Sequence, residues 1–180
     1  MYLKLLIFLV LWLAGFISTK TPVFIADEDP DESRSTVELI ESRGFTAEVH
    51  EVTTRDGYIL ILHRIVNPLC NATRLHPVLL QHGILSSSAD WVLNSPGGGI
   101  NEKPTNKTGN NLGFELSKLC YDVWMGNNRG NVYSLKHQWR SNQSGYWNFS
   151  FDEMAAYDQP VFIDRILATT GYGESFQRFP

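Results

Sequence analysis

The chain has 180 residues, the size of one domain. Hydrophobic residues make up 43% and aromatic residues 12%, which excludes a disordered composition. Fifteen basic residues against 19 acidic ones give a net charge of −4 with no basic run beyond a dipeptide, so the electrostatic footprint of a nucleic-acid binder is absent.

The N-terminus reads "MYLKLLIFLVLWLAGFISTK", one early lysine and then an unbroken apolar run from Leu5 to Ile17. The run is short for a membrane span and fits a secretory signal peptide cleaved between Gly15 and Lys20, with an uncleaved anchor as the alternative. Residues 1–19 are assigned to this signal and residues 20–34, with "ADEDPDESR", to an acidic linker. Sequons at Asn71, Asn106, Asn142 and Asn148 agree with a secretory route, Asn148 being the poorest acceptor because aromatic residues flank it. The expected location is extracellular or lysosomal, without a stable membrane span. Cys70 and Cys120 leave two readings open, a disulfide or two separate thiols with Cys120 buried in a strand. No Cys/His spacing suggests a metal, and no cofactor is expected.

Ser35 and Glu38 form a capping-box pattern, and Gly44 ends the helix that they open. Two strand-like runs then flank Arg55-Asp56-Gly57, a hairpin signal. "HPVLLQHG" (76–83) follows as a short apolar strand of a parallel sheet. A long Gly-, Asn- and Ser-rich loop leads to "LGFELSKLC", a helix with Leu112, Leu116 and Leu119 on its apolar side. "YDVWMGNNRGN" opens with a second buried strand, Tyr121 to Met125. Ser150 and Glu153 then cap a last helix with Met154, Val161, Ile163, Ile166 and Leu167 as its apolar face. Pro160 is expected to kink it and Gly171 to stop it. Alternating strands and helices imply an α/β parallel sheet with right-handed crossovers, preceded by the antiparallel hairpin.

Two segments carry chemistry. A strand ending in His82-Gly83 places the next backbone N–H groups at the carboxyl end of a parallel sheet, where open α/β folds bind ligands. Gly83 is expected to let the chain turn, so that the Ile84 N–H aims into a cleft and donates to a developing oxyanion. His82 reads as a structural hydrogen-bonding residue. In the second segment Gly126 and Gly130 supply positive φ, Asn127, Asn128 and Asn131 tie the loop to its own backbone, and Arg129 braces loops by a salt bridge.

"VLLQHGILSSSADWV", "YDVWMGNNRGNVYS" and "YWNFSFDEMAAYDQPVFIDRILATTG" together resemble the acid lipase family, the gastric and lysosomal type of α/β-hydrolase. "FTAEVHEVTTRDGYILILHRI" is similar to that family's opening hairpin, and the likeness covers about residues 35–171. The resemblance implies a secreted, glycosylated serine hydrolase of carboxylic esters of neutral lipids, triacylglycerols and cholesteryl esters. It makes the Ile84 N–H one half of an oxyanion hole, with His82, Gly83, Gly126, Arg129 and Gly130 as supporting motif residues. The loop "NSPGGGINEKPTNKTGNN" departs from the family pattern and is longer.

The nucleophile of such a fold sits in Gly-x-Ser-x-Gly after a buried strand, and the acid and the histidine follow it. Residues 172–180 form a divergent tail. In Gly173-Glu174-Ser175-Phe176-Gln177 the second glycine is replaced, no apolar strand precedes, and no His, Asp or Glu follows Ser175. The expectation is an α/β-hydrolase-like sheet truncated before the nucleophile elbow. No catalytic triad residue is expected in the chain, which is inactive as given. Strand Tyr121–Met125 is then expected to face an unfilled sheet position. A secreted, non-catalytic lipid-binding or interaction module is the alternative.

Overall fold

The computed structural model describes residues 29–71, 75–93, 99–101, 111–139 and 143–172. The chain divides into two units, residues 1–32 and 33–180. In the first, Pro30–Glu32 form one 3-10 turn. The signal segment, Asn106, Asn142 and Ser175 lie outside the described residues.

The second unit is built on a five-stranded sheet. Helix α1 (Thr36–Ser42) starts with the expected capping box, in which the Ser35 side chain accepts from the Glu38 N–H and the Glu38 carboxylate accepts from the Ser35 N–H. Strands β1 (Thr46–Thr53) and β2 (Tyr58–Val66) form the antiparallel hairpin. Gly57 closes it with φ +94°, a left-handed conformation that costs glycine little. Strand β3 (His76–Gln81) precedes a 3-10 turn at Ser88–Trp91. Helix α2 (Leu112–Lys118) crosses to β4 (Tyr121–Asn127), which runs parallel to β3. The two-residue β5 (Lys136–His137) pairs with β2. Short helices α3 (Gln143–Tyr146) and α4 (Phe151–Glu153) follow. A π-helical turn at Met154–Asp158 then leads into α5 (Gln159–Thr170).

The strand order is β1-β2-β4-β3, and β2 pairs antiparallel with β4. The sheet is therefore mixed, and only β3 and β4 are parallel. β4 is flanked on both sides, so the expected open position beside it does not exist. The outer strands are β1 and β3, and on the parallel side the edge is β3, because the hairpin adds β2 to the other side of β4.

Side chains alternate across the sheet. Val123 and Met125 of β4 face a core shared with α1 and α2, around Leu39, Ile40, Phe45 and Phe114. Trp124 faces the opposite core with Leu60, Leu62, Phe162 and Ile166 under α5. This two-sided burial is what the apolar run predicts.

The helix faces agree with expectation only in part: Leu116, Val161 and Ile166 pack on the cores, and other expected positions do not. In α2, Gly113, Phe114 and Ser117 are buried, while Leu112 and Leu119 are 44% and 71% exposed. Phe114 turns the helix because its ring stacks on Phe45 at 5.2 Å, a larger contact than a leucine edge. In α5 and the turn before it, the buried stripe is Asp158, Phe162 and Ile166, and Ile163 is 47% exposed. The irregularity expected at Pro160 is the π turn just before it, whose i→i+5 bonding shifts the helix phase. Gly171 ends the helix at φ +70°.

Cys70 and Cys120 are joined by a disulfide. Cys120 is exposed in the turn before β4 rather than buried in a strand. The bond ties the β2–β3 loop to the α2–β4 turn.

Candidate functional site

Gln81 and Gly126 are register partners at the carboxyl ends of β3 and β4. Residues 82–85 and 128–131 therefore leave the sheet side by side. Between them and the segment 147–154 lies a cleft of about 560 Å³. Ile84, Val132, Trp147 and Phe151 line it and are 71%, 75%, 54% and 63% exposed. Phe149 and Met154 complete an apolar wall. The aromatic density of "YWNFSF" was the sequence signal for this wall, and sequence reasoning assigned those residues only to a helix start.

At the sheet end, the Ile84 N–H finds no hydrogen-bond acceptor among the described residues. Leu85 next to it takes a positive φ of 59°. Gly83 does not supply the turn: a Cβ there would meet nothing within 4 Å, and its φ is not in the left-handed region. The sharp turn falls on Leu85 instead.

His82 is 9% exposed. Its Nδ1 lies 2.7 Å from the Gly83 carbonyl oxygen. Its Nε2 accepts from the Asn128 N–H at 3.2 Å and from Asn131 Nδ2 at 3.2 Å. Further along the loop, the Ser88 N–H donates to Asn127 Oδ1 at 3.0 Å. Asn131 Nδ2 donates to the same Oδ1 at 2.8 Å. The asparagines thus cap the neighbouring loop as well as their own turn, where Asn131 Oδ1 accepts from the N–H groups of Tyr133 and Ser134.

Behind Ser88 lies His63, 2% exposed, with Nδ1 2.8 Å from Ser88 Oγ and 3.3 Å from Asn127 Nδ2. Burial pushes its pKa down to about 4, so it is neutral at physiological pH. Thr36 Oγ1 bonds Ser88 Oγ at 3.0 Å and extends the network to α1. Sequence reasoning missed His63 and Ser88; neither carries a local motif.

Arg129 forms the base of the second loop, with its side chain fully buried. Its backbone N–H and Nε donate to Asp158 at 3.0 and 2.8 Å. Nη1 and Nη2 donate to Asp56 at 2.6 and 3.0 Å. The guanidinium lies 3.9 Å over the Tyr58 ring. Arg129 is therefore a brace joining the hairpin turn, the β4 loop and the π turn. Burial by itself would lower its pKa, but the hydrogen bonds it donates to Asp56 and Asp158 outweigh burial and raise it. Partial burial would raise the Asp56 carboxyl, but its bonds to Arg129 and Thr54 hold it below its ordinary range. Asp158 was hidden in the sequence because it reads as a polar residue inside a helix.

Gly130 has φ +86°, and a Cβ there would stand 2.8 Å from the Trp147 ring and 2.9 Å from Phe149. Glycine at this position lets the aromatic wall approach. Gly126, by contrast, is a strand residue of β4 against Gln81 and Phe162, without positive φ. The Tyr146 hydroxyl accepts from the Gly130 N–H at 3.0 Å, and burial pushes its pKa up to about 12. Asn71 and Asn148 are exposed. Among the described residues no cluster of three or more metal-ligating side chains occurs. No helix among them is long and apolar enough to cross a membrane.

A family profile described as the partial alpha/beta-hydrolase lipase region matches residues 36–95. The chain is 43% identical over 148 residues to gastric triacylglycerol lipase of Bos taurus, covering 80% of this chain and 34% of that protein. It is 40% identical over 174 residues to lysosomal acid lipase/cholesteryl ester hydrolase of Homo sapiens, covering 94% of this chain and 40% of that protein. Lipase lipl-3 of Caenorhabditis elegans is 40% identical over 151 residues, 81% of this chain and 34% of that protein. The chain thus spans about a third to two fifths of the length of the curated relatives it matches. These matches support a likeness to the N-terminal portion of acid lipases.

Proposed function

We propose that this chain is the N-terminal portion of an acid lipase and forms the oxyanion-binding side of a carboxylic ester hydrolase. Its ligands are neutral lipid esters of the triacylglycerol and cholesteryl ester class, met in the secretory pathway, outside the cell or in the lysosome. The Ile84 N–H carries the reading. It lacks an acceptor among the described residues and lies where β3 meets an apolar cleft. When a nucleophile adds to an ester carbonyl, the carbonyl oxygen gains negative charge. A fixed N–H at that position stabilises the charge without reorganising, and removing one such donor costs about 10²–10³ in kcat. The Trp147, Phe149, Phe151 and Met154 wall suits the acyl chain.

The 180 residues contain no Gly-x-Ser-x-Gly. Hydrolysis therefore needs a nucleophile from outside them, and the chain itself is proposed to bind esters without turning them over.

The test uses the purified chain with an uncleavable triacylglycerol ether analogue and a fluorogenic long-chain ester. Tryptophan fluorescence is expected to change saturably with the analogue, and ester turnover to stay at background. An unchanging signal would remove the acyl cleft. Turnover that vanishes in Ser175→Ala would overturn the non-catalytic part.

A further inference from the structure

We propose that His82 is a positioning residue that aims the Ile84 N–H, and that it does so through the peptide unit between Gly83 and Ile84. The inference deepens the oxyanion reading above and rests on it. The Gly83 carbonyl and the Ile84 N–H belong to one planar trans peptide, so they point in opposite directions. Fixing one end fixes the other. His82 holds the carbonyl end, with Nδ1–H donating to the Gly83 oxygen at 2.7 Å.

The other ring nitrogen decides the tautomer. Nε2 faces two donors, the Asn128 N–H and Asn131 Nδ2, each at 3.2 Å. It must accept, so the ring proton sits on Nδ1, where the Gly83 carbonyl takes it. The Asn-rich turn after β4 thus selects the tautomer that orients the loop after β3. The loop's far end is held by the same turn, through Ser88 N–H to Asn127 Oδ1 at 3.0 Å. Between these two anchors Ile84 and Leu85 are exposed and have no other backbone restraint among the described residues. Without His82, nothing in the described structure holds the Gly83–Ile84 peptide in one orientation.

The test is carried out on the full chain by NMR, with hexylphosphonate as a tetrahedral anion on an apolar tail. In the wild type the His82 ring should show a protonated Nδ1 and an unprotonated Nε2; the opposite tautomer overturns the proposal. Hexylphosphonate should shift the Ile84 amide proton saturably. His82→Ala should weaken that response roughly five- to tenfold, the size of one lost hydrogen bond. His82→Asn places a side-chain N–H near the former Nδ1 and lacks the Nε2 acceptor. It should recover most of the response, although the bonds to Asn128 and Asn131 are gone. A merely structural role predicts the reverse, with His82→Asn as poor as His82→Ala, and that result overturns the proposal. So does an undiminished response in His82→Ala. A wild-type chain whose Ile84 amide ignores the phosphonate overturns the oxyanion reading itself.

Discussion

His63 makes the fold sensitive to mild acid in a way that can be calculated. Its ring is 2% exposed, and Asn127 Nδ2 donates to its Nδ1 at 3.3 Å, so a proton added there would meet a donor. Burial lowers its pKa from 6.5 to about 4. The unfolded chain therefore binds a proton between these values that the folded chain refuses. A depressed histidine contributes stability above its unfolded pKa and loses it as pH falls towards the folded one. At about 1.4 kcal/mol per unit, roughly 2–3 kcal/mol should be lost between pH 7 and about pH 4.5. Urea unfolding at both pH values measures this, with an unchanged m-value as the check on two-state behaviour. His63→Gln keeps a polar side chain but cannot titrate in this range, so its stability should fall less between the two pH values than that of the wild type. The reasoning is refuted if the variant loses as much as the wild type, or if the His63 ring titrates near 6.5 in the folded protein.

Asp158 and Asp56 share one arginine but should differ in cost. Asp158 is fully buried, and its loss strands the Arg129 Nε and backbone N–H, so Asp158→Ala should destabilise by about 3–5 kcal/mol in denaturant unfolding. Asp56 is 29% exposed, so water can replace it, and Asp56→Ala should cost clearly less; equal losses would sink the burial argument. Because the Asp56 carboxyl is held below its ordinary 3.8, its contribution is present above that value and is lost only at stronger acid, below the His63 window. The disulfide joins residues separated by 50 positions, so Cys70→Ser with Cys120→Ser should lower stability by about 2–4 kcal/mol, and a smaller shift in the urea midpoint would count against a structural role.

Much of the local structure was legible in the residues because it depends on near neighbours. Both capping boxes need only a serine and a glutamate three positions on. The hairpin needs Gly57 and two alternating runs, and the two-sided burial of β4 follows from its apolar run. Helix faces were less legible. Phe114 and Phe162 set them by contacts with distant rings and sheet residues, while leucine spacing pointed elsewhere. The strand end and the likeness to acid lipases both pointed to Ile84, and His82 was legible as a hydrogen-bonding residue, but its partners Asn128 and Asn131 were not.

The supports of the site were decided in three dimensions. Arg129 reaches Asp56 across 73 positions and Asp158 across 29. His82 meets Asn128 across 46, and the insertion of β2 beside β4 leaves β3, not β4, as the outer strand on the parallel side. Periodicity and caps record interactions within a few residues, where the chain has little freedom to choose partners. A buried charge or an imidazole between two loops acquires its partner only after the sheet has brought distant segments together. Composition alone does not say which of several aspartates or asparagines will be there.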